Sequence, residues 1–359
     1  MTAVAMKIAQ VKLQRFSVFE QAELALCDGI NVFIGTNGTG KSHLMKAMYC
    51  LLKASEKAPQ HTDNIALRYE VLLLDKLAKV FRPKDDSVGR LVTRALGRGK
   101  GSVLLQFTDD SSLQFQISTL GKLTAQRSEG AAGAAKSLFV PSREVLSLQT
   151  SLISAYEAVN LRFDETYYDL AKALAAPTLR GQRGEQAAHL VEPLEAVIGG
   201  KVHEEEDGSL HVRTAKGDFE PHLLSEGFRK LASLCRLILN GSLMANGFLF
   251  WDEPEANLNP EQVVLVARML RVLAHNGVQV FLATHDSILS GELGLAADYA
   301  DQLEDTERCS LRFFGLDRSA AGQVTVTGED RLAELPHNAI LDAYLRHYDR
   351  RSELFAKAR

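Results

Sequence analysis

Residues Gly35-Thr36-Asn37-Gly38-Thr39-Gly40-Lys41-Ser42 spell G-x-x-x-x-G-K-S, the pattern of a phosphate-binding loop. The glycines free successive backbone N–H groups to turn toward one point, so Asn37, Gly38, Thr39 and Gly40 are expected to cradle a β-phosphate. Lys41 is expected to reach the β- and γ-phosphates, and the Ser42 hydroxyl to hold Mg²⁺. Phe248-Leu249-Phe250-Trp251-Asp252-Glu253 runs four apolar residues straight into two carboxylates. Asp252 then binds the metal, directly or through water, and Glu253 polarises the attacking water as general base. Thr284-His285-Asp286 follows the apolar run Val278–Ala283, which places His285 to contact a γ-phosphate. Ser225 and Gly227, in Leu224-Ser225-Glu226-Gly227-Phe228-Arg229-Lys230, open a helix whose free N–H groups make an anion site.

These groups need a frame. Ile30–Ile34 is a short apolar strand leading into the phosphate loop, and Lys41–Leu52 continues from it as a helix, so the phosphates sit at a helix N-terminus. Gly247–Trp251 and Val278–Ala283 are unbroken apolar runs, as buried parallel strands should be. Between them Asn259-Pro260 opens a helix and Gly277 closes it. The first 35 residues alternate as strands around a turn near Val18-Phe19-Glu20, and residues 101–125 alternate again around Asp109-Asp110-Ser111. Residues 64–82 are predicted helical, with Ala66, Leu67, Val71, Leu74, Leu77 and Val80-Phe81 on one apolar face and Pro83 as terminator. Ser128–Ala135 reads as a Gly/Ala-rich loop, and Leu138–Pro141 as a short strand. Residues 144–198 are mostly helical, broken near Pro177 and Gly181–Gly184; Lys201–His203 and Leu210–Arg213 flank a Glu206-Asp207-Gly208 turn. The expected fold is α/β: a P-loop NTPase head with a mixed sheet, an antiparallel N-terminal β-subdomain and an inserted helical lobe. Its divisions are an N-terminal lobe over 1–143, a helical insertion over 144–200 and a C-terminal lobe over 201–359.

In order and spacing, the phosphate loop, the Ser225–Gly227 helix, Asp252-Glu253-Pro254-Glu255 and Thr284-His285-Asp286 resemble the ABC-type ATPases. The SMC/RecF/OLD-like branch is nearer than transporter subunits. Trp251 to Pro260 is similar to the prokaryotic AAA-labelled ATPases of that branch, several of which accompany toxins or nucleases in anti-phage defence, as in the OLD, Septu, Gabija and PARIS systems. The resemblance implies a homodimer of heads that sandwiches two ATP molecules, each on Lys41 and Ser42 of one chain and facing Ser225 and Gly227 of the other. It implies that Glu255–Asn259 form the loop crossing the dimer interface, and that hydrolysis by Glu253 releases the clamp. It also implies an effector partner such as a nuclease or toxin. By position, Val140–Glu144 matches the loop that senses Mg²⁺, with Glu144 or Arg143 in place of its usual glutamine. The Ser-Glu-Gly signature, where transporters have Ser-Gly-Gly, and the missing coiled-coil arm are departures.

The 359 residues carry a net charge of −4, which supplies no global basic field for nucleic acid. No apolar run approaches the length that spans a bilayer, so no membrane attachment is expected. The absence of a signal-peptide apolar core and of C-x-x-C spacing among Cys27, Cys50, Cys235 and Cys309 suits a cytoplasmic chain without zinc. The first three of these are expected in the core and Cys309 among polar residues. Lys76, Lys79, Arg82, Lys84, Arg90, Arg94, Arg98 and Lys100 form a basic run that is either a nucleic-acid patch or a solvated face. His203–Asp207 is expected to be a solvated strand and turn rather than a metal site. The C-terminal helix, Ile340–Phe355, docks on the core or on a partner. The competing functions are a DNA repair or recombination ATPase of RecF/SMC type, an ATP-stabilised sensor scaffold, a transporter's nucleotide-binding subunit and a small-molecule kinase. The long insertion argues against the transporter, and a Glu253/His285 pair suited to water attack argues against the kinase.

Overall fold

A computed structural model describes residues 6–58, 65–94, 97–128, 130–131, 136–159, 161–205, 208–243, 246–320 and 322–357, with the backbone alone at 65–67. In chain order the elements are β1 (Ile8–Phe16), β2 (Phe19–Ala25), β3 (Ile30–Ile34), α1 (Lys41–Lys57), α2 (Ile65–Phe81), β4 (Lys100–Phe107), β5 (Ser112–Ser118), β6 (Leu123–Arg127) and β7 (Ser137–Val140). The helical stretch follows as α3 (Gln149–Val159), α4 (Glu165–Leu174) and α5 (Gln182–Ile198), then β8 (Gly200–Glu204), β9 (Leu210–Thr214) and β10 (Gly217–Phe219). The chain continues with α6 (Glu226–Leu239), β11 (Phe248–Asp252), α7 (Pro260–His275), β12 (Gln279–Thr284), α8 (Ser287–Asp298), β13 (Leu311–Arg318), β14 (Val324–Glu329) and α9 (Ala339–Lys357).

Three sheets organise these elements. The central one runs β14-β13-β3-β12-β11-β7. Its members from β13 to β7 are parallel, and β14 pairs antiparallel at one edge. All five residues of β3 and all six of β12 are buried, which is why they read as mostly apolar; the polar Asn31, Gln279 and Thr284 among them are hydrogen-bonded. The antiparallel sheet β2-β1-β4-β5-β6 alternates buried and solvent-facing residues, because only one of its faces meets the core. A third, three-stranded sheet is β10-β9-β8. One apolar cluster packs α1 and α2 between the antiparallel sheet and one face of the central sheet; a second packs α4 to α8 on the other face.

Several expectations need correction. Helix α2 runs to Phe81 and stops before Pro83, but its buried side chains are Tyr69, Leu73, Leu77 and Val80, together with Lys76. Val71 and Leu74 point to solvent, so the expected apolar face is rotated; residue 64 and the Ala66 and Leu67 side chains lie outside what is described. The basic run is only partly tied down, since Lys84, Arg90, Arg94, Arg98 and Lys100 are exposed. Lys76 is 3% exposed and Lys79 pairs with Asp75, while Arg82 donates to the Phe163 and Leu161 carbonyls. The helical stretch breaks once more than expected, before Asp164, which caps α4 by accepting from the Thr166 N–H. Its break at Gly181–Gly184 is shorter than expected, since α5 already begins at Gln182. Strand β10 was not foreseen. Residues 129, 132–135, 206 and 207, in the expected loop and turn, lie outside the described set.

Helix α9 has no buried residue: Ile340 in its first turn packs against the second apolar cluster, while Leu341, Tyr344, Leu345, Tyr348, Leu354 and Phe355 are each more than half exposed. Cys50 and Cys235 are buried as expected, whereas Cys27 is only half-buried. No helix among the described residues is long and apolar enough to cross a membrane.

Candidate nucleotide site

The parallel strands β3 and β11 and the helix α1 deliver the expected residues to one cavity of about 440 Å³. Asn37, Gly38, Gly40, Lys41 and Ser42 line it on one side, and Asp252 and Glu253 on the other. The volume falls within the roughly 300–1,000 Å³ typical of small-molecule sites. Gly40 has φ +94°, and a side chain there would strike Val18 and Phe19 within 3 Å, so only glycine permits the loop to turn beneath the β1–β2 hairpin. Thr39 is buried and closes the loop by donating its hydroxyl to the Thr36 carbonyl at 2.9 Å. Lys41 donates to the Gly35 and Thr36 carbonyls at 2.6 and 3.1 Å. Burial lowers its pKa, which the Asp252, Glu253 and Glu255 charges partly offset. An amine held on its own loop's carbonyls, with carboxylates facing it, is ready to transfer to an incoming anion.

Burial likewise raises the Asp252 pKa; the Ser42 hydrogen bond opposes this and the Glu253 charge adds to it. A hydroxyl and a carboxylate bonded to each other are a hard oxygen donor set that suits Mg²⁺. His285 Nδ1 lies 3.1 Å from Glu253 Oε1, so the two residues expected to act on water and phosphate are brought together. Glu253 itself sits at φ +49°, a left-handed backbone unusual for a residue with a side chain, costing about 1–3 kcal/mol. Three hydrogen bonds hold it there: its N–H donates to the Ala283 carbonyl at 2.9 Å, and its carbonyl accepts from the Ala256 N–H and from Lys230 Nζ at 3.1 Å each.

Lys230 was not singled out by the sequence. It stands on the first turns of α6, is 3% exposed, and also donates to the Pro254 and Ala256 carbonyls at 3.4 and 2.9 Å. Burial pulls its pKa down to about 8. Between that value and the ordinary lysine pKa the unfolded chain holds this proton and the folded chain does not, so stability rises with pH across the window. From pH 7.5 to 10 the wild type should gain about 2 kcal/mol of unfolding free energy more than Lys230→Met. Urea unfolding of both proteins at the two pH values measures the difference; equal gains would show that the ammonium is not strained by burial.

Ser225 and Gly227 lie outside this cavity. Ser225 caps α6 by accepting from the Phe228 N–H at 3.3 Å, and a side chain on Gly227 would come within 2.9 Å of the Asn257 carbonyl. Glu255 is buried, accepting from Thr284 Oγ1 at 2.7 Å and from the His285 N–H at 3.3 Å. Asn257 is bound to Glu226 at 2.8 Å, so the loop after Glu253 packs on the start of α6 in the same chain. Glu144 pairs with Arg229 and Ser147 at 2.6 Å each, facing α6 instead of the metal donors. His203 Nε2 is shared among Glu205, Asp218 and the Arg213 guanidinium, an ion-paired cluster on the small sheet. The cavity residues to which sequence reasoning gave no role are Val18, His43, Lys46, Phe139, Asp164 and Tyr167, while Pro141 and Ser142 belong to the Val140–Glu144 segment matched to the metal-sensing loop.

Comparison with known proteins agrees with this fold. A family model described as "AAA ATPase domain" matches residues 6–113, and one described as "AAA domain, putative AbiEii toxin, Type IV TA system" matches residues 131–290. Two solved Smc heads superpose over 90% of this chain. One, bound to the C-winged helix domain of ScpA, has TM-score 0.55 and 14% identity over 97% of that chain. The other, from Pyrococcus furiosus and bound to the C-terminal domain of ScpA, has TM-score 0.54 and 12% identity over 96%. The chain has the SMC-head-like P-loop ATPase fold. Part of this head is also 43% identical, over 49 residues, to a DNA replication and repair protein RecF from Macrococcus caseolyticus. That stretch covers 14% of this chain and 13% of the RecF chain.

Proposed function

We propose that this head binds ATP with Mg²⁺, hydrolyses it to ADP and phosphate, and uses the cycle as a conformational switch between separate and ATP-bridged heads. The observation that carries it is the single cavity lined by Lys41, Ser42, Asp252 and Glu253, with His285 on the Glu253 carboxylate. Asn37 to Gly40 offer backbone N–H groups, and Lys41 exchanges its loop carbonyls for phosphate oxygens. Ser42 and Asp252 hold the metal, which when bound neutralises charge on the β- and γ-phosphates. Glu253 accepts a proton from the attacking water, and His285 steadies that carboxylate and meets the γ-phosphate. Ser225 and Gly227, which do not line the chain's own cavity, act on the nucleotide of a second copy, so the functional unit is at least a homodimer.

The output we favour is control of a partner effector, such as a nuclease or toxin, in the cytoplasm of a prokaryote defending against phage. The match to a model whose description includes a toxin of a type IV system supports it. A nucleic-acid transaction of RecF/SMC type is the second function, favoured by the stretch of RecF identity. Calorimetric titration of ATP·Mg²⁺ tests the shared core of both. Lys41→Ala should weaken binding by at least a hundredfold, the loss of a charge-assisted contact worth about 3 kcal/mol. Equal binding by this variant would reject the site.

A further inference from the structure

The inserted helix α4 brings two side chains to the cavity wall opposite the phosphate loop: Asp164, its N-cap, and Tyr167, one turn on. Neither belongs to any motif that drew attention to this site. Asp164 alone would repel a triphosphate, but Lys46, on the helix that follows the phosphate loop, binds its carboxylate at 2.6 Å. Tyr167 faces the same space as Ser42, Ser142 and Asp252. Its phenol pKa is raised, first by burial and then by the Asp164 charge; Arg143 and a hydrogen bond with Ser142 oppose the shift, and Asp252 adds to it. The hydroxyl therefore sits within electrostatic reach of a metal donor, in the cavity wall just beyond β7.

The helix carrying it is fixed from both ends. Tyr49 of α1 donates to Asp169 at 2.6 Å, and buried Lys76 of α2 binds Glu165 at 2.7 Å and also Asp169. At the other end Arg236 and Asn240, of α6 and its C-cap, donate to the Leu174 and Ala173 carbonyls at 2.9 and 2.8 Å. The Tyr167 ring meets Phe163, centroids 4.8 Å apart. Such a side chain is positioned before a ligand arrives, so little ordering entropy opposes its contact.

We propose that the Tyr167 hydroxyl, oriented by Ser142, contacts the oxygen shell of the metal–triphosphate, filling the place where a metal-sensing glutamine was expected at Glu144 or Arg143. Glu144 is occupied by Arg229, and the cavity wall beyond β7 is formed by Pro141, Ser142, Asp164 and Tyr167. The contact deepens the ATP-binding function above and rests on it.

The test is the affinity of the full chain for ATP with Mg²⁺ and for ATP in EDTA, measured for the wild type, Tyr167→Phe and Lys41→Ala. Phenylalanine keeps the ring and its packing on Phe163 and removes only the oxygen. Tyr167→Phe should bind ATP·Mg²⁺ about tenfold more weakly, the effect of one hydrogen bond to a charged group, and bind metal-free ATP as the wild type does. Lys41→Ala should lose both. Unchanged ATP·Mg²⁺ affinity in Tyr167→Phe, with Lys41→Ala defective, would overturn the contact and leave the nucleotide site standing. Equal losses with and without metal would overturn the metal-dependent part, showing that the hydroxyl only braces the wall. A wild type that binds no ATP would overturn the site and the contact together.

Discussion

Glu253→Gln is expected to lower ATP hydrolysis by about 10²–10⁴-fold while leaving ATP affinity within a few-fold of the wild type. The amide keeps the shape of the side chain and removes the base. The binding groups, Lys41, Ser42 and Asp252, stand on other positions of the cavity and are untouched. The Glu253 charge adds to the burial that raises the Asp252 pKa, so the amide leaves the Asp252 carboxyl more readily ionised. Phosphate release under saturating ATP, beside a binding isotherm, checks both halves. A variant that hydrolyses normally would remove Glu253 from the mechanism. The same variant separates a hydrolysis-driven machine from a scaffold, because a scaffold keeps its biological output when turnover stops.

The second large effect concerns stability. Lys76→Met should destabilise the fold by about 3–5 kcal/mol, the usual result of removing one partner from a buried ion pair. Lys76 is 3% exposed and answers two carboxylates, Glu165 and Asp169, that are themselves almost covered. Burial works to lower its pKa, but those two charges more than offset it, so the ammonium is retained. Methionine would match the stem and leave both carboxylates uncompensated. Changing the whole group at once, Lys76→Met with Glu165→Gln and Asp169→Asn, should recover most of the loss, since it is stranded charge that costs stability. Urea unfolding at pH 7 decides it. A single-variant loss below about 1 kcal/mol would place the trio in effectively open solvent.

The contrast between Lys41 and Lys76 indicates what the sequence could convey. The phosphate loop was legible because Gly40 has no substitute at φ +94° under Val18 and Phe19, and because β3 on one side is wholly buried. Asp252 and Glu253 were legible because β11 is apolar until it reaches the cavity. Lys76 was not, since a lysine in a basic run reads as solvated until two distant acids, Glu165 and Asp169, are brought to it. The rotated face of α2 has the same origin: Lys76 lies inward and Val71 and Leu74 outward, which inverts the polarity pattern that an amphipathic helix presents. The break before α4 was hidden because Leu161 and Phe163 carry an apolar pattern across it without glycine or proline. Tyr167 was hidden because an aromatic at helical spacing reads as core. Lys230 and Glu255 were missed for a third reason. Their roles lie in hydrogen bonds to the backbone and hydroxyl groups of the loops beside Glu253, and local sequence does not encode such pairings.

The central claim is that ATP joins two heads through Ser225 and Gly227, which do not line the chain's own cavity. The most direct measurement is the mass in solution of Glu253→Gln with and without ATP·Mg²⁺, beside the same variant carrying Lys41→Ala. A doubling of mass that requires both ATP and Lys41 is the predicted result. An unchanged mass with ATP demonstrably bound would contradict the clamp.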